Sequence, residues 1–472
     1  MIGPQEVPLP RLPLSMALES RSASTNKDAR LVNAYIETLP DGTEEVVSRP
    51  GTVTFGATGA AAAASGLIGF NEKLYAVQAG NIYEMSSLGV PTLKGTTGTG
   101  QLSFSRTSQV PYLFMHNGSV GTVLNGSSGA VSAVSDTDFP PAQTPALPLA
   151  SGAVYLDDMV FVMTTSGRIY NSAIEDPTTW GALDYISKIS EPDGGVAIVK
   201  HLNFIVAFGD WSGEFFFNAG VATGSPLERS ASYKMDIGCA SGPSAIEVEQ
   251  TVVWVGQARE EGRSVYMLEG VSPVRISNPP VERFLDASTL ASVEANAIKI
   301  AGHVFYILTL NDLNITLVCD ISEKRWYQWS TLSESSDIEW QYSQIAALNG
   351  TTYALDRATG EIDTIETTAH TDNGASIPFR VVTYKADLKD NKTKFFHHAE
   401  IIGNRSAATV QVRYSDDDYA TWSTARSISI NQERPVLRQL GQARRRAWEL
   451  YSTSAVEIRL TALEFTMTKG TF

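Results

Sequence analysis

The six histidines and two cysteines are the side chains best able to bind a metal, and their spacing does not favour a metal site. No two histidines follow an HxH or HExxH pattern, and an adjacent pair in a strand points to opposite faces. The cysteines lie 80 residues apart without a CxxC, so we expect two buried thiols made in a reducing compartment. We therefore predict neither a metal nor a cofactor. The residues are His116, His201, His303, His370, His397, His398, Cys239 and Cys319.

Nucleophilic and nucleotide-dependent chemistry also lacks its motifs. The sequence contains no GxSxG elbow, no GxxxxGKS or GxxxxGKT loop and no GxGxxG fingerprint. These are the arrangements that expose a nucleophile or cradle phosphates. We therefore predict that the chain is not an enzyme.

SDDDYATW at 415–422 is the most suggestive carboxylate motif. It resembles the Asp-box S-x-D-x-G-x-T-W of sialidases and other propellers, with Tyr419 where glycine is expected. The aspartate of such a box bonds to nearby backbone N–H groups, and the tryptophan packs underneath. Glycosidase chemistry needs two carboxylates at a set separation, which no motif here specifies. We interpret the motif as a structural turn; its matching residues are Ser415, Asp417, Thr421 and Trp422.

Two further segments are candidate contact sites. RWYQW at 325–329 could stack on a sugar, although an aromatic strand of this kind more often closes a sheet core. An arginine cluster near the C-terminus could contact phosphates. On an acidic protein, an interface with an acidic partner or ion pairs within the domain are better explanations. The cluster comprises Arg434, Arg438, Arg444, Arg445 and Arg446.

These residues belong to a chain whose pattern is a series of short hairpins. An apolar run, a polar turn and a second apolar run recur, which is typical of paired strands. The first runs begin at 73, 111, 159, 204, 251, 303 and 351, at intervals of 38 to 52 residues. Strand-rich units of about 40–50 residues are typical of β-propeller blades. We predict an all-β chain with a propeller of six or seven blades; an irregular set of β-sandwich domains is the alternative.

Three regions depart from this repeat. Residues 1–30 predict an extended arm, and GAAAAASG at 59–66 predicts a linker or a tightly packed strand entry. The segment 278–297 predicts one short inserted helix, for which Pro280 is a suitable start.

After residue 375, alternating strands predict a C-terminal β-sandwich. The predicted domains are the arm at 1–30, the propeller at 31–375 and the sandwich at 376–472.

The composition excludes several classes of protein. The chain has 472 residues, of which 43% are hydrophobic and 18% charged, so it is not a disordered chain. No apolar stretch approaches the roughly 20 residues of a transmembrane helix, and we expect no secretory signal and no membrane insertion. With 36 basic and 51 acidic residues the net charge is −15, which disfavours a DNA clamp. An acidic wall past which DNA slides remains compatible with this charge.

Several stretches together resemble the packaged-DNA stabilisation family of short-tailed bacteriophages, also described as tail nozzle or tail hub proteins. They occur in the family's order from about residue 30 to residue 468. The segments are VNAYIETLPDGTEEVVSRPGT (32–52), RTSQ (106–109), SEPDG (190–194), FIVAFGDWSGEFFFNAG (204–220), ISNPPVERFL (276–285) and QERPVLRQLGQARRRAWELYSTSAVEIRLTALEF (432–465).

The resemblance implies a virion tail protein, made in the host cytoplasm, that forms a sixfold ring below the portal and its adaptor. Such a ring extends the DNA channel, retains packaged DNA until release, and carries a needle or plug and spikes or fibres. Genomic DNA would pass through the lumen without sequence-specific binding. Channel proteins of this kind need loops that narrow the lumen, and two turns are candidates. Their residues are Asp210, Trp211, Arg259, Glu260 and Glu261; Arg438, Arg444, Arg445 and Arg446 are the candidate interface residues.

Two other functions stay open at this point. A host-glycan binding or degrading propeller of the tail would need exposed aromatic rings and convergent carboxylates on one propeller face. A scaffold propeller unrelated to phage would be a stable monomer that binds other proteins.

Overall fold

The structure is a computed structural model that describes residues 10–16, 18, 29–221, 223–333, 336–388 and 391–470. Strands dominate this part of the chain, and it contains a single α-helix. The predicted all-β class is confirmed. Most of the predicted N-terminal arm, at 1–9, 17 and 19–28, lies outside the described residues.

The first strands of the chain join sheets that are otherwise formed by its later strands. The fifth strand pairs with residues 361–366, and the first, second and fourth strands pair with strands after residue 320, whereas the third pairs with the fourth. The N-terminal segment therefore contributes to two different sheet systems. These strands are β1 Arg11–Pro13, β2 Arg30–Val32, β3 Ala34–Thr38, β4 Glu44–Ser48 and β5 Gly51–Ala57.

Five antiparallel sheets follow in sequence, each with the strand order of a propeller blade. Blade 1 consists of β6 Ala64–Phe70, β7 Lys73–Gln78, β8 Asn81–Met85 and β9 Pro91–Thr96. Blade 2 consists of β10 Ser103–Arg106, β11 Tyr112–His116, β12 Gly121–Asn125 and β13 Val131–Ala133. Blade 3 consists of β14 Val154–Leu156, β15 Met159–Met163, β16 Arg168–Ala173 and β17 Asp176–Ser187.

Blades 4 and 5 continue this order, and in blade 5 two short pieces share the innermost position. Blade 4 consists of β18 Ala197–His201, β19 Phe204–Phe208, β20 Gly213–Asn218 and β21 Leu227–Met235. Blade 5 consists of β22 Gly238–Cys239, β23 Ile246–Val248, β24 Thr251–Gln257, β25 Ser264–Glu269 and β26 Ser272–Arg275.

Blades 6 and 7 belong to larger sheets. Blade 7 takes β5 as its fourth strand, so the two ends of the propeller segment are joined in one blade. Blade 6 consists of β27 Val293–Ile300, β28 His303–Leu310, β29 Ile315–Asp320 and β30 Arg325–Ser333, with β31 Ser336–Glu339 on β30. Blade 7 consists of β32 Tyr342–Leu348, β33 Thr351–Asp356, β34 Glu361–Glu366 and β5, with the short strands β35 Thr371–Asp372 and β36 Ala375–Ser376.

The seven apolar runs of the sequence coincide with the second strand of each blade. These strands are continuously apolar because a blade packs between two neighbours and both of its faces are covered. All five residues of Met159–Met163, for example, are buried. Apolar clusters lie between successive blades, and one of them joins blade 7 to blade 1 through Leu355 and Leu74. The predicted propeller is confirmed, and seven sheets occupy the blade positions.

The inserted helix α1, Pro279–Ala287, is shorter than the sequence pattern predicts. The side chain of Asn278 caps it by accepting a 3.1 Å bond from Val281 N, and prolines occupy its first positions. The chain turns at Leu290, where φ is 55°, and Val293 already belongs to β27. Val293 therefore belongs to a strand, and Leu290 lies in the turn between that strand and the helix.

The C-terminal segment supplies most of a two-sheet sandwich, as predicted. One sheet has the order β3-β4-β44-β38-β41, with β1 on β44 and β42 on β38, and the other has the order β2-β37-β43-β39-β40. A single apolar cluster includes residues of both sheets, such as Leu463 and Leu450. The strands are β37 Phe379–Val382, β38 Lys394–Gly403, β39 Thr409–Ser415, β40 Arg426–Ser429, β41 Val436–Arg438, β42 Gln442–Ala443, β43 Ala447–Ser452 and β44 Arg459–Lys469.

The sandwich and the propeller share a continuous sheet and a buried polar cluster. Strand β2 lies parallel to β30 of blade 6, with Val32 opposite Gln328. Next to it, Asn33 accepts bonds from Arg49 Nε at 2.8 Å and from Ser330 N at 2.9 Å. Arg49 also forms an ion pair with Asp372, and the two side chains are 1% and 4% exposed. We call Asn33, Arg49, Ser330 and Asp372 the junction cluster, because it ties β30, β35 and the N-terminal strands together.

Candidate functional site

The arginine cluster lies along one edge of the sandwich. Strands β41 and β42 both pair with β38 and form the border of their sheet. Arg438 is the last residue of β41, while Arg444 and Arg445 follow β42 in the turn to β43, and all three are exposed. Three of the predicted interface residues therefore lie along the same border.

Arg446 is set apart from the other three by burial. Its side chain is 2% exposed, and its guanidinium forms two 2.7 Å bonds to the carboxylate of Asp416. It also donates to Leu440 O at 2.6 Å and lies 3.7 Å from the ring centre of Tyr414. This arrangement stabilises the sandwich from within, so Arg446 is not available for contact with a partner.

The surface beside this border combines an arginine with an exposed aromatic ring. Phe395 is 42% exposed and lies opposite Gln442 in the sheet. Arg438 bonds to His398 at 2.8 Å, and both line a shallow cavity of about 300 Å³ with Arg434 and Glu400. Arginine and aromatic residues are enriched in protein–protein interfaces. We call Phe395, Arg438, Arg444 and Arg445 the basic edge.

The two candidate channel turns lie side by side on one face of the propeller. Asp210 and Trp211 are in the turn between β19 and β20, and the segment between blades 3 and 4 holds this turn in place. Asp193 of that segment accepts bonds from Trp211 N at 2.8 Å and Ser212 N at 2.9 Å. The Asp193 carboxylate also pairs with buried Lys188.

The same connecting segment also holds the second turn, between β24 and β25. Arg259 donates to Glu191 at 3.0 Å, and the neighbouring Glu260 and Glu261 are exposed. Neither glutamate has an ion-pair partner among the residues that the structure describes. Partial desolvation and the nearby Asp193 carboxylate raise the pKa of Asp210. We call Asp210, Glu260 and Glu261 the acidic turns.

A cavity of about 630 Å³ lies among the innermost strands of blades 2 to 5. These strands carry Arg106, Lys200 and Glu247. Burial raises the pKa of Glu247, and Lys200 partly offsets that effect. Only the apolar second strands repeat clearly in the sequence, so nothing in the pattern marked these polar first-strand residues.

The segments considered for metal, thiol or sugar chemistry have structural roles. No group of three metal-ligating side chains occurs in the described part of the chain. Cys239 and Cys319 are buried, and burial raises the pKa of Cys239 to about 12. The aromatic rings of the RWYQW run are covered as well, with Trp326 and Trp329 only 1% and 2% exposed. They therefore offer no face on which a sugar could stack.

The Asp-box forms the turn that its pattern predicts. Asp417 accepts bonds from Thr421 N and Ser415 Oγ, both at 2.9 Å, and bonds from this turn lower the pKa of Asp417 to about 2. Tyr419 has a φ of 63°, the left-handed conformation that explains the glycine of the usual pattern. Its ring is buried and its hydroxyl donates to Thr383 O at 2.9 Å.

Charge is divided unevenly along the chain. Residues 376–472 carry 15 basic and 10 acidic side chains, whereas residues 1–375 carry 21 basic and 41 acidic side chains. The excess of negative charge therefore resides in the segment that forms the propeller. The basic edge and the acidic turns are local concentrations of these opposite charges.

The structure was compared with solved structures, and the likenesses are weak. The computationally designed Ika8 protein has a TM-score of 0.38 at 11% identity, covering 74% of this chain and 98% of its own. PorZ, a surface component of the type-IX secretion system of Porphyromonas gingivalis, has a TM-score of 0.39 at 11% identity, covering 79% and 46%. BamB from Moraxella catarrhalis has a TM-score of 0.37 at 11% identity, covering 70% and 92%.

The comparison with protein families is decisive. No curated protein matches the chain. None of the helices in the described part is long and apolar enough to cross a membrane. The family model described as Bacteriophage P22 Gp10, β-propeller, matches residues 20–370, which is most of the chain. The chain therefore belongs to this phage stabilisation family, whose members have a structural role in the phage tail.

Proposed function

We propose that the chain forms a hexameric nozzle ring of a short phage tail, below the portal and its adaptor. The ring extends the DNA channel, retains the packaged genome, and serves as the platform for a needle or plug and for spikes or fibres. The observation that carries this proposal is the family match across a closed β-propeller. On this proposal the work of the chain is mechanical and not enzymatic.

The size of the propeller's own cavity supports a lumen between copies. A volume of about 630 Å³ is that of a small-molecule site and cannot pass a DNA duplex. DNA would therefore run through a channel that several copies enclose. A ring of copies provides such a channel, whereas a single propeller does not.

The charge of the chain supports a channel that releases its DNA. A net charge of −15, concentrated in the propeller segment, repels phosphates along the wall. The turns at Asp210, Trp211, Arg259, Glu260 and Glu261 stay candidate channel loops from the sequence only, because the contact inferred below assigns their carboxylates to the border between copies; the wall we propose is the rest of the acidic propeller segment. An acidic wall does not bind DNA, so the genome is retained because the channel is closed below it. Ejection is then not slowed by binding to the wall.

The test is to assemble particles without this chain and to measure the DNA they retain. Filled heads that lose their genome while portal and adaptor are present are the expected result. Addition of purified chain to the deficient particles before packaging should restore retention. Particles that keep their DNA but do not adsorb to cells would contradict the proposal and favour a glycan-binding propeller.

A further inference from the structure

We infer that the basic edge of one copy docks on the acidic turns of a second copy of this chain. The inference rests on the proposed ring and adds which two surfaces meet in it. It also makes the contact heterologous, with different surfaces of the two copies facing each other.

The basic edge has the features of a contact surface. Arg438, Arg444 and Arg445 are exposed along one sheet border, next to a phenylalanine ring that is 42% exposed. An alternative role for charges on an edge strand is to prevent unwanted strand pairing. That role does not require an exposed aromatic ring beside them, whereas an interface does use one as an anchor.

The acidic turns have complementary features. Glu260 and Glu261 are exposed without an ion-pair partner in the described chain, and Asp210 is beside them in the neighbouring turn. The backbone of the first turn is anchored by bonds to the Asp193 carboxylate, and an exposed ion pair between Arg259 and Glu191 links the second turn to the same segment. Asp210 is therefore presented on a fixed support, which lowers the entropic cost of binding.

The partner of each surface is the other surface, on a separate copy. No ion pair links the basic edge with the acidic turns within one copy, over the residues that the structure describes. A symmetric contact would place arginines against arginines, which costs free energy. Opposite charges on two different patches favour a heterologous contact, and such contacts produce rings when the rotation closes.

The test uses charge reversal on each surface and in combination. The first variant is R438E/R444E/R445E and the second is D210K/E260K/E261K. A matched control reverses three exposed cations elsewhere, K299E/K324E/R405E. Thermal melts establish that every variant is folded, and sedimentation velocity at low and high salt measures self-association of the full chain.

We expect wild type and control to associate at low salt and to dissociate as salt screens the contact. Each patch variant alone should lose roughly tenfold or more in association constant, which is about 1.4 kcal/mol. An equimolar mixture of the two patch variants should regain association, because in the mixture a reversed edge can face reversed turns.

Four results would overturn the inference. The first is a wild-type chain that never associates, and the second is a pair of patch variants that associate as well as the control. The third is a mixture of the two patch variants that does not regain association. The fourth is a loss of association in the basic-edge variant but not in the acidic-turn variant. Binding of a short DNA duplex that requires the same arginines would assign the basic edge to DNA instead. Genome retention by particles carrying a patch variant is scored separately, so failure of the inferred contact is distinguishable from failure of the proposed nozzle function.

Discussion

Replacing Asp372 with asparagine should destabilise the whole chain, because it removes the charge partner of a buried arginine. Arg49 is 1% exposed and Asp372 4% exposed, so water cannot replace the carboxylate. Removing one partner of a buried ion pair typically costs about 3–5 kcal/mol. Arg49 keeps its bonds to Asn33 and to Pro50 O at 3.0 Å. We therefore expect the lower end of that range, about 3 kcal/mol.

The assay is urea unfolding followed by tryptophan fluorescence. Trp329 and Trp340 lie 5.7 and 5.6 Å from the Arg49 guanidinium, so they report on the junction cluster directly. Glu464→Gln is the matched control: its pair with Arg11 spans 4.0 Å at side chains that are 47% and 29% exposed. Exposed pairs of that kind contribute about 0–1 kcal/mol.

A second variant separates the charge from the space it fills. Arg49→Met combined with Asp372→Leu removes both charges and keeps apolar volume in their place. Such replacements are often neutral or stabilising, so the double variant should be more stable than Asp372→Asn alone. An Asp372→Asn variant that unfolds at the same urea concentration as the Glu464→Gln control would refute the reasoning.

Three further predictions concern single side chains. The pKa of Asp417 is lowered to about 2 in the folded chain, against about 3.9 in the unfolded chain. The carboxylate therefore contributes to the free energy of unfolding above about pH 3.9, and this contribution is lost as the pH falls through about 2. The melting temperature of Asp417→Asn should therefore depend less on pH between about 4 and 2 than that of wild type; equal slopes would contradict this. Asp320 raises the pKa of His303 in the folded chain. The pair therefore stabilises the fold fully below about pH 6.5, and this stabilisation is lost as the pH rises through the raised pKa of the folded state. His303→Gln should abolish this alkaline-side loss in melting curves, and a variant with the wild-type profile would argue against it. Arg446→Lys should cost about 2–4 kcal/mol in urea unfolding, since lysine cannot form the paired bonds to Asp416 or stack on the rings; a wild-type midpoint would exclude that role.

The repeat and the strand content could be predicted because they are local properties. A second strand buried on both faces must be apolar along its whole length, so each blade carries one recognisable run. The predicted helix at 278–297 was too long because it, too, was read from local spacing. Apolar residues at 290 and 293 fit a helical spacing, but Val293 is the first residue of an inner strand. Spacing alone does not separate the end of a short helix from the strand that follows it.

The candidate residues illustrate what local patterns miss. Four arginines from 438 to 446 look equivalent in the sequence, yet Arg446 lies inside the sandwich while its neighbour Arg445 is exposed. The two acidic turns are about 50 residues apart in the chain and are brought together by the segment at 188–195. The domain limits at residues 30 and 375 stay predictions.

The strand content, a repeat of six or seven units, the turn chemistry of the Asp-box and the resemblance to the family can be recognised in the sequence. Each of these follows from residues close together in the chain. That β5 completes blade 7 and that β2 joins the sandwich to blade 6 is apparent only in the folded chain. Those pairings join residues roughly 300 apart in the chain. Strands pair through backbone N–H and C=O groups, which every sequence shares, so the sequence does not specify which two strands pair. Their choice depends on which edges and apolar faces remain uncovered once the local hairpins have formed.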